Sequence, residues 1–155
     1  MADKGSKLWD KGFEVDAKID RFTVGHDREM DLYLAEYDII GTMAHITMLN
    51  SRGLLAKEEL DELLPELKAR VREAREGKFV IEDGIEDVHS QVELMLTRKL
   101  GDKGKKVHTG RSRNDQIMVD LKLFARARIE KTVARMKKLF DPLLSRSETY
   151  RDSLI

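Results

Sequence analysis

The residues best suited to chemistry in this 155-residue sequence lie in one segment, from His108 to Gln116, which reads HTGRSRNDQ. The segment places two guanidinium groups, two hydroxyl groups and an imidazole around a single glycine. Glycine permits a close approach of the backbone to a ligand, and arginine binds carboxylates through paired hydrogen bonds. A helix that begins here would also offer free N–H groups to an anion. The spacing therefore predicts a site for an anionic ligand with more than one carboxylate.

The same residues also suit a purely structural role. Ser112 is followed three residues later by Asp115, which is the pattern of a helix capping box. In that interpretation Ser112 caps the next helix, and Asp115 interacts favourably with the helix dipole. The sequence leaves capping and ligand binding open, and the two are compatible because a cap can hold a binding loop in place.

A second group of polar residues, EDVHSQVE, runs from Glu86 to Glu93. His89 and Glu93 are four residues apart and share one helix face, so they could form a proton-transfer pair or a polar anchor for a substrate. The alternative is a structural or surface pair, with Asp87 belonging to the helix start. No third ligand has a spacing typical of a metal site, and the chain has no cysteine, so we predict no metal site.

The elements that carry these segments are predicted to be helices, because long charge-rich stretches of leucine, alanine, glutamate and lysine favour helix. We expect an irregular arm over about the first 25 residues, whose aromatic side chains Trp9, Phe13 and Phe22 pack onto something larger. A helix is predicted from about Asp31 to Ser51, with His45 on its apolar side as a core histidine.

Pro65 leaves two interpretations of the segment that begins at Lys57. Either a second helix begins at Pro65, since proline lacks the N–H that a helix interior needs, or one continuous helix is kinked there. A further helix is predicted from about Glu86 to Leu100, and residues 101–106 are expected to form a flexible basic loop.

The last segment predicts one long helix. Its apolar residues recur every three or four positions, which is typical of a helix with a continuous apolar seam. They are Ile117, Leu121, Ala125, Ile129, Val133, Met136, Phe140 and Leu143. A helix of this length needs partner helices, and the sequence stops at Ile155 without a helix stop signal. We therefore expect a cut chain, with an N-terminal helical domain at 1–112 and the first helix of a second domain at 113–155.

Composition excludes several classes of protein. The chain has 29 basic and 29 acidic side chains and a formal net charge of zero, so it lacks the basic excess on which nucleic-acid and membrane-surface binding depend. No stretch approaches the ~18 apolar residues of a membrane span, and the first residues lack the apolar core of a signal peptide. We expect a protein of the reducing cytoplasm, without nucleic-acid or membrane partners.

The HTGRSRNDQ segment resembles the first signature segment of argininosuccinate lyases. Three other segments resemble the same family in the expected order: KLW at 7–9, LAEYDI at 34–39 and EDVH at 86–89. The resemblance implies the all-α fold of the fumarase/aspartase superfamily. It also implies a homotetramer in which the central domains form a long bundle and each active site combines segments from three subunits.

The implied reaction is the elimination of fumarate from argininosuccinate to give arginine, as in arginine biosynthesis, with no metal or organic cofactor. In the family, the positions of Ser112, Arg113 and Asn114 bind the carboxylate-bearing half of the substrate. Thr109 and Arg111 match loop positions that shape the same site. Developing negative charge in such a reaction must be held by preorganised donors, and this loop is rich in them.

The resemblance extends to a second substrate-binding segment. His89 matches a histidine near the substrate, and Asp87 precedes it as in the family motif and is expected to orient it. At Gly25, many family members have a substrate-contacting serine instead, and the stretch 25–32 is about two residues longer than usual. The sequence therefore leaves open whether the Gly25 region still contacts substrate.

The residues expected to act as acid and base are missing. In the family they lie in a second signature and in a mobile third one, and neither is present up to Ile155. We therefore predict that this chain alone is inactive and that it self-associates through 113–155. The alternatives are a non-enzymatic structural homologue, as in lens crystallins, and a short helical assembly module on the same fold.

Overall fold

The computed structural model describes residues 17–153, and the side chains of residue 19 and residues 22–153. Within that range the only regular elements are helices, joined by turns and short irregular segments, which confirms the all-α prediction. The α-helices are α1 Ala17–Val24, α2 Asp27–Asp31, α3 Ala35–Ser51, α4 Lys57–Arg75, α5 Val88–Leu100, α6 Asp102–Lys105 and α7 Arg113–Thr149, with a 3₁₀ turn at Lys106–His108. Trp9 and Phe13, predicted as aromatic anchors, lie outside the described residues.

The chain divides into two compact units, Met1–Leu121 and Lys122–Ile155. In the first unit, α3, α4 and α5 pack around the core. Their inward side chains recur every three or four residues, and each one that is fully buried contributes roughly 1.5–3 kcal/mol if it has the size of leucine. The core side chains with no exposed surface are Ala35, Ile39, Ile46, Leu63, Leu67, Val88, Val92, Leu96 and Val107.

Helix α4 continues through Pro65. The interpretation with a second helix starting at Pro65 is therefore wrong, and the continuous helix is correct. The neighbours Leu63 and Leu67 are fully buried in the core. This burial on both sides of the proline offsets the backbone hydrogen bond that proline cannot donate.

Two predicted boundaries in the N-terminal part need correction. The stretch expected to be irregular contains α1, where the Thr23 hydroxyl donates to the Ile19 carbonyl at 2.9 Å, and Phe22 is 89% exposed. Helix α3 begins at Ala35, four residues later than predicted. Asp31 instead ends α2, where its Oδ2 accepts a 3.1 Å hydrogen bond from the Val88 N–H.

The basic segment at 101–106 is the third correction, because it forms the short helix α6 instead of a flexible loop. A Cβ atom at Gly104 would lie 2.4 Å from the Thr97 backbone nitrogen. Glycine at this position therefore lets α6 pack directly on the end of α5, a close approach that periodicity alone does not reveal.

The predicted long helix is confirmed as α7, which has 37 residues. Its first turns belong to the first unit, where Gln116 and Asp120 are buried. In the second unit, Arg128 stacks over Phe124 with 4.8 Å between the guanidinium carbon and the ring centroid. The large exposed apolar side chains there include Ile129, Val133, Met136, Leu139, Phe140, Leu143 and Leu144. None of the described helices is long and apolar enough to cross a membrane.

Candidate functional site

The loop before α7 is closed by the predicted capping box. The Ser112 N–H donates to Asp115 Oδ2 at 3.0 Å, and the Asp115 N–H points back to Ser112 Oγ at 3.4 Å. The Ser112 backbone and hydroxyl hydrogen bonds hold the pKa of Asp115 below its usual value. The capping interpretation is therefore confirmed, and the cap fixes the loop that carries Arg111 and Arg113 at the start of the helix.

Arg111 points from this loop toward α3. Its Nη2 donates to Thr42 Oγ1 at 2.8 Å and lies 3.3 Å from His108 Nδ1. A second link joins the loop to α3, because His45 Nε2 lies 2.9 Å from the Thr109 carbonyl oxygen. His45 is half-buried and bound to the loop, so the prediction of a core histidine is wrong: its ring lies at the edge of the core.

Arg113 points toward the start of α5. Its Nη1 lies 2.5 Å from Asp87 Oδ2, and its Nη2 donates to Ser90 Oγ at 2.9 Å. Asp87 also caps α5, since its Oδ1 accepts a 2.8 Å hydrogen bond from the Ser90 N–H. One aspartate therefore fixes both the start of α5 and the Arg113 guanidinium group. The expectation that Asp87 orients the His89 ring is wrong, because that ring is hydrogen-bonded to Asp38.

His89 lies in the interior, and its partner is not Glu93. His89 Nδ1 is 2.7 Å from Asp38 Oδ1 and 4.0 Å from Asp120 Oδ2. Gln116 completes what we call the buried cluster, consisting of Asp38, His89, Gln116 and Asp120, all at most 5% exposed. Asp38 comes from α3, His89 from α5, and Gln116 and Asp120 from α7, so three distant segments of the sequence meet here.

The protonation of the buried cluster follows from its surroundings. Burial alone would lower the pKa of His89, but the hydrogen bond to Asp38 and the nearby carboxylates outweigh it and raise the pKa. Burial, together with the charge of Asp38, raises the pKa of Asp120 to about 7. The imidazolium form of His89 therefore supplies positive charge between the two carboxylates.

The same side chains have the spacing of a possible metal site, which the sequence did not predict. One ligand atom each from Asp38, His89 and Asp120 lies within 4.8 Å of the others. However, His89 Nδ1 donates its proton to Asp38, and the positive charge of Arg111 acts on both carboxylates. The site thus already contains the positive charge that a metal ion would supply, and the chemistry of the donors favours the proton.

A cavity of about 360 Å³ opens beside the buried cluster. Four of the predicted substrate-binding residues line it, namely His89, Thr109, Arg111 and Arg113, and the other lining residues are Ser90, Glu93, Lys105, His108 and Gln116. Burial raises the pKa of Glu93, while the charges of Arg113 and Lys105 act in the opposite direction. The cavity is lined by three cationic side chains, those of Lys105, Arg111 and Arg113, and by one carboxylate, that of Glu93. This excess of positive charge suits the cavity to an anion.

Ser112, Asn114 and Asp87 do not line this cavity. The side chains of Ser112 and Asn114 are exposed. Asp87 does not reach the cavity itself but forms an ion pair with Arg113, which does. Sequence reasoning gave no role to Asp38 or Asp120. The available signal is an acidic residue on an otherwise apolar helix face, since Asp120 follows Ile117 by three positions and Asp38 follows Leu34 by four.

Comparison with known proteins defines the class of protein. The family described as Lyase matches residues 13–155. The chain belongs to this lyase family, and its fold is the all-α fumarase/aspartase fold. The resemblance carried by the HTGRSRNDQ segment is thereby confirmed.

The individual relatives carry a more specific name than the family does. The chain is similar to the argininosuccinate lyase of Phocaeicola vulgatus, with 64% identity over 149 residues that cover 96% of this chain and 33% of that protein. The argininosuccinate lyase of Parabacteroides distasonis is 62% identical over the same shares of the two chains. That of Thermotoga neapolitana is 39% identical over 90% of this chain and 36% of its own length. The chain spans about a third of the length of these curated relatives.

Proposed function

We propose that these residues form the N-terminal part of an argininosuccinate lyase, which eliminates fumarate from argininosuccinate and releases arginine. The observation that carries the proposal is 64% identity over nearly the whole chain to a protein of that name. The cation-rich cavity supports it independently, because argininosuccinate carries several carboxylates. In this proposal residues 1–112 form an N-terminal helical domain, and residues 113–155 begin the central bundle of a cytoplasmic homotetramer.

The chain's own residues would bind and orient the substrate. Arg111 and Arg113 are held by fixed acceptors, so their guanidinium groups lose little further freedom when a carboxylate binds. Such preorganised donors stabilise the negative charge that develops when a proton is removed beside a carboxylate. Thr109 and His89 would shape the same site, and Asp87 would orient Arg113.

Ser112 and Asn114 are assigned to substrate binding on the outer side of the loop. Their exposure is compatible with a site that combines segments from three subunits, because such a site extends beyond one chain. We assign no acid or base among the residues up to Ile155, so the chain alone is proposed to lack turnover.

The test compares two proteins: the 155-residue chain, and the product of the reading frame extended past codon 155. Fumarate release from argininosuccinate is followed by its ultraviolet absorbance. We expect turnover by the extended protein and none by the 155-residue chain. Turnover by the short chain would refute the absence of acid and base, and an inactive extended protein, or a frame that stops at this codon, would refute the lyase function.

An assembly role without catalysis is the second candidate. It is favoured by the exposed apolar side chains between Ile129 and Leu144, since such a surface commonly marks an interface. It predicts an extended protein that forms a stable oligomer but releases no fumarate. The same two proteins, examined by light scattering and by the fumarate assay, separate the two functions.

A further inference from the structure

His108 lies between the loop and the buried cluster, where two nitrogen donors face the same ring atom. Its Nδ1 is 3.3 Å from Arg111 Nη2 and 3.1 Å from Gln116 Nε2. A guanidinium group can only donate hydrogen bonds. The Nδ1 atom must therefore be the acceptor, with no proton of its own.

The orientation of the Gln116 amide supports the same assignment. Its Nε2 also lies 3.5 Å from Asp38 Oδ1 and 3.4 Å from His89 Nδ1, the atom that donates to the same Asp38 oxygen. A carbonyl oxygen in that place would face a carboxylate oxygen, so the NH₂ end of the amide must be on this side. One of its two protons then points toward Asp38 and the other toward His108, which again makes Nδ1 an acceptor.

With Nδ1 bare, a neutral imidazole carries its proton on Nε2. Nε2 is buried and lies 3.8 Å from Glu93 Oε2, and an interaction of the ring with the His89 backbone opposes the effect of burial on its pKa. The charged groups around the ring are Asp38 on α3, His89 and Glu93 on α5, and Arg111 on the loop. Burial, opposed by Asp38 and assisted by Arg111, lowers the pKa of His108 to about 4.

We propose that His108, as a neutral imidazole protonated on Nε2, is a positioning residue that holds the Arg111 guanidinium at the wall of the cavity. His108 and Thr42 are two acceptors for the same Nη2 atom, one on each side, so together they fix the direction of the guanidinium plane. The inference rests on the proposed function, because Arg111 belongs to the proposed substrate site. A doubly protonated His108 would repel Arg111 and release it.

Side-chain replacements at His108 separate positioning from simple packing. In asparagine, Oδ1 can take the place of the imidazole Nδ1 acceptor, whereas in glutamine the amide end reaches the place of Nε2. His108→Leu keeps an apolar body and has no acceptor. In the extended protein, we expect His108→Leu and His108→Gln to lower kcat/KM for argininosuccinate by about 10- to 100-fold, the size of one lost hydrogen bond to a charged group.

The deciding result is the difference in kcat/KM between His108→Asn and His108→Gln. His108→Asn should recover most of the loss seen in His108→Leu, mainly through KM, because it restores the acceptor for Arg111. If asparagine is as defective as leucine, or if glutamine and asparagine behave alike, the positioning role is wrong. Circular dichroism and thermal melting of each variant show whether it is folded, so that a folding defect is recognised as such.

A spectroscopic measurement on the 155-residue chain tests the protonation state without any assay of turnover. In a sample labelled with ¹⁵N at histidine, long-range ¹H–¹⁵N correlations distinguish the two tautomers, and the His108→Asn spectrum assigns the signals. We expect His108 to remain in the Nε2–H form from about pH 8 to about pH 5.5. A proton on Nδ1, or a charged ring within that range, would overturn the inference even if the lyase function held. The expected tautomer in the 155-residue chain, combined with an extended protein that releases no fumarate, would instead refute only the proposed function.

Discussion

Charged side chains of the first unit are paired in two different settings. One lies on the surface, between α4 and the segment that runs from α5 to the 3₁₀ turn, and the other lies in the interior among α3, α5 and α7. The surface setting is a ladder in which three glutamates of α4 pair with three lysines in reverse order along the chain. The pairs are Glu59–Lys106 at 2.5 Å, Glu62–Lys103 at 2.6 Å and Glu66–Lys99 at 2.5 Å. The lysine side chains are 39–61% exposed, whereas the side chains of Glu59 and Glu66 are only 16% and 10% exposed. Water and salt therefore screen the pair Glu62–Lys103, in which both side chains are exposed, most completely.

The buried cluster has the opposite character. Asp38, His89 and Asp120 are at most 5% exposed, so their charges must be satisfied by one another and by Arg111. Exposed ion pairs contribute about 0–1 kcal/mol each, whereas removal of one partner from a buried pair leaves an uncompensated charge. The ladder therefore adjusts stability only slightly, whereas the cluster determines whether the cavity and its loop form at all.

The largest effect is expected from removing the cation of the buried cluster. His89→Leu would leave two buried carboxylates facing each other, and we expect the free energy of unfolding to fall by about 3–5 kcal/mol. Urea unfolding followed by circular dichroism measures it. The matched surface change is Lys103→Leu in the ladder. Equal small losses in both variants would remove the distinction between the two settings.

We expect Asp120 to change the free energy of unfolding by about 2 kcal/mol across a range of pH. Because its pKa in the folded state is raised to about 7, the folded protein holds a proton that the unfolded chain releases at lower pH. The contribution of Asp120 to stability is therefore greatest at acid pH and is lost as the pH rises from about 4 to about 7. The raised pKa of His89 acts in the same direction at higher pH.

Asp120→Asn should flatten this part of the profile and be at least as stable as the parent above about pH 7. Urea unfolding at a series of pH values provides the measurement. The ladder variant Lys103→Gln keeps Asp120 and should retain the slope of the parent. A parent profile that rises with pH over this window would contradict the assignment of a shifted Asp120.

At Thr42, where the buried cluster meets the loop, we expect substitution to change the free energy of unfolding by about 1–2 kcal/mol. Thr42→Val keeps the shape of the side chain but removes the acceptor for Arg111, whereas Thr42→Ser keeps the hydroxyl and removes only a methyl group. We expect valine to lower stability and to weaken argininosuccinate binding by the extended protein more than serine does. The reverse order would show that packing of the methyl group matters more than the hydrogen bond.

The smallest effect belongs to the ladder itself. Lys103→Gln should lower the free energy of unfolding by at most about 0.5 kcal/mol at low salt. The difference should vanish at about 1 M salt, where the screening length is only about 3 Å. The double variant Glu62→Gln with Lys103→Gln isolates the coupling of the pair. A coupling above 2 kcal/mol that survives high salt would place the ladder in the same class as the buried cluster.

The sequence contained enough information for the fold class, for α5, for α7 and for the capping box, because each of these depends on neighbours within one or two helical turns. The sequence leaves open whether the helix continues through Pro65, because its continuation depends on the tertiary burial of Leu63 and Leu67. The helix α6 was missed because it depends on a close backbone approach at Gly104. Local patterns do not contain these long-range packing terms.

The candidate site shows the same division. Residue types alone predict the polar loop, whereas they predict the wrong partner for His89, because Glu93 is near it in the sequence and Asp38 is near it only in space. Asp38 and Asp120 are 82 positions apart by number, and only the packing of α3 against the start of α7 brings them together. A Cβ at Gly41 would lie 3.2 Å from Val119 Cγ1 and 3.8 Å from Asp120 Oδ1, so glycine permits this approach.

The central claim is that the arginine held between the loop and the buried cluster binds the substrate of a lyase. The most direct measurement is kcat/KM for argininosuccinate in the extended protein with Arg111→Gln, compared with Arg75→Gln, which removes an equal charge from a surface pair with Glu36. We predict a loss of at least about 100-fold for Arg111→Gln and a change within about threefold for Arg75→Gln. Equal activity in the two variants would contradict the account.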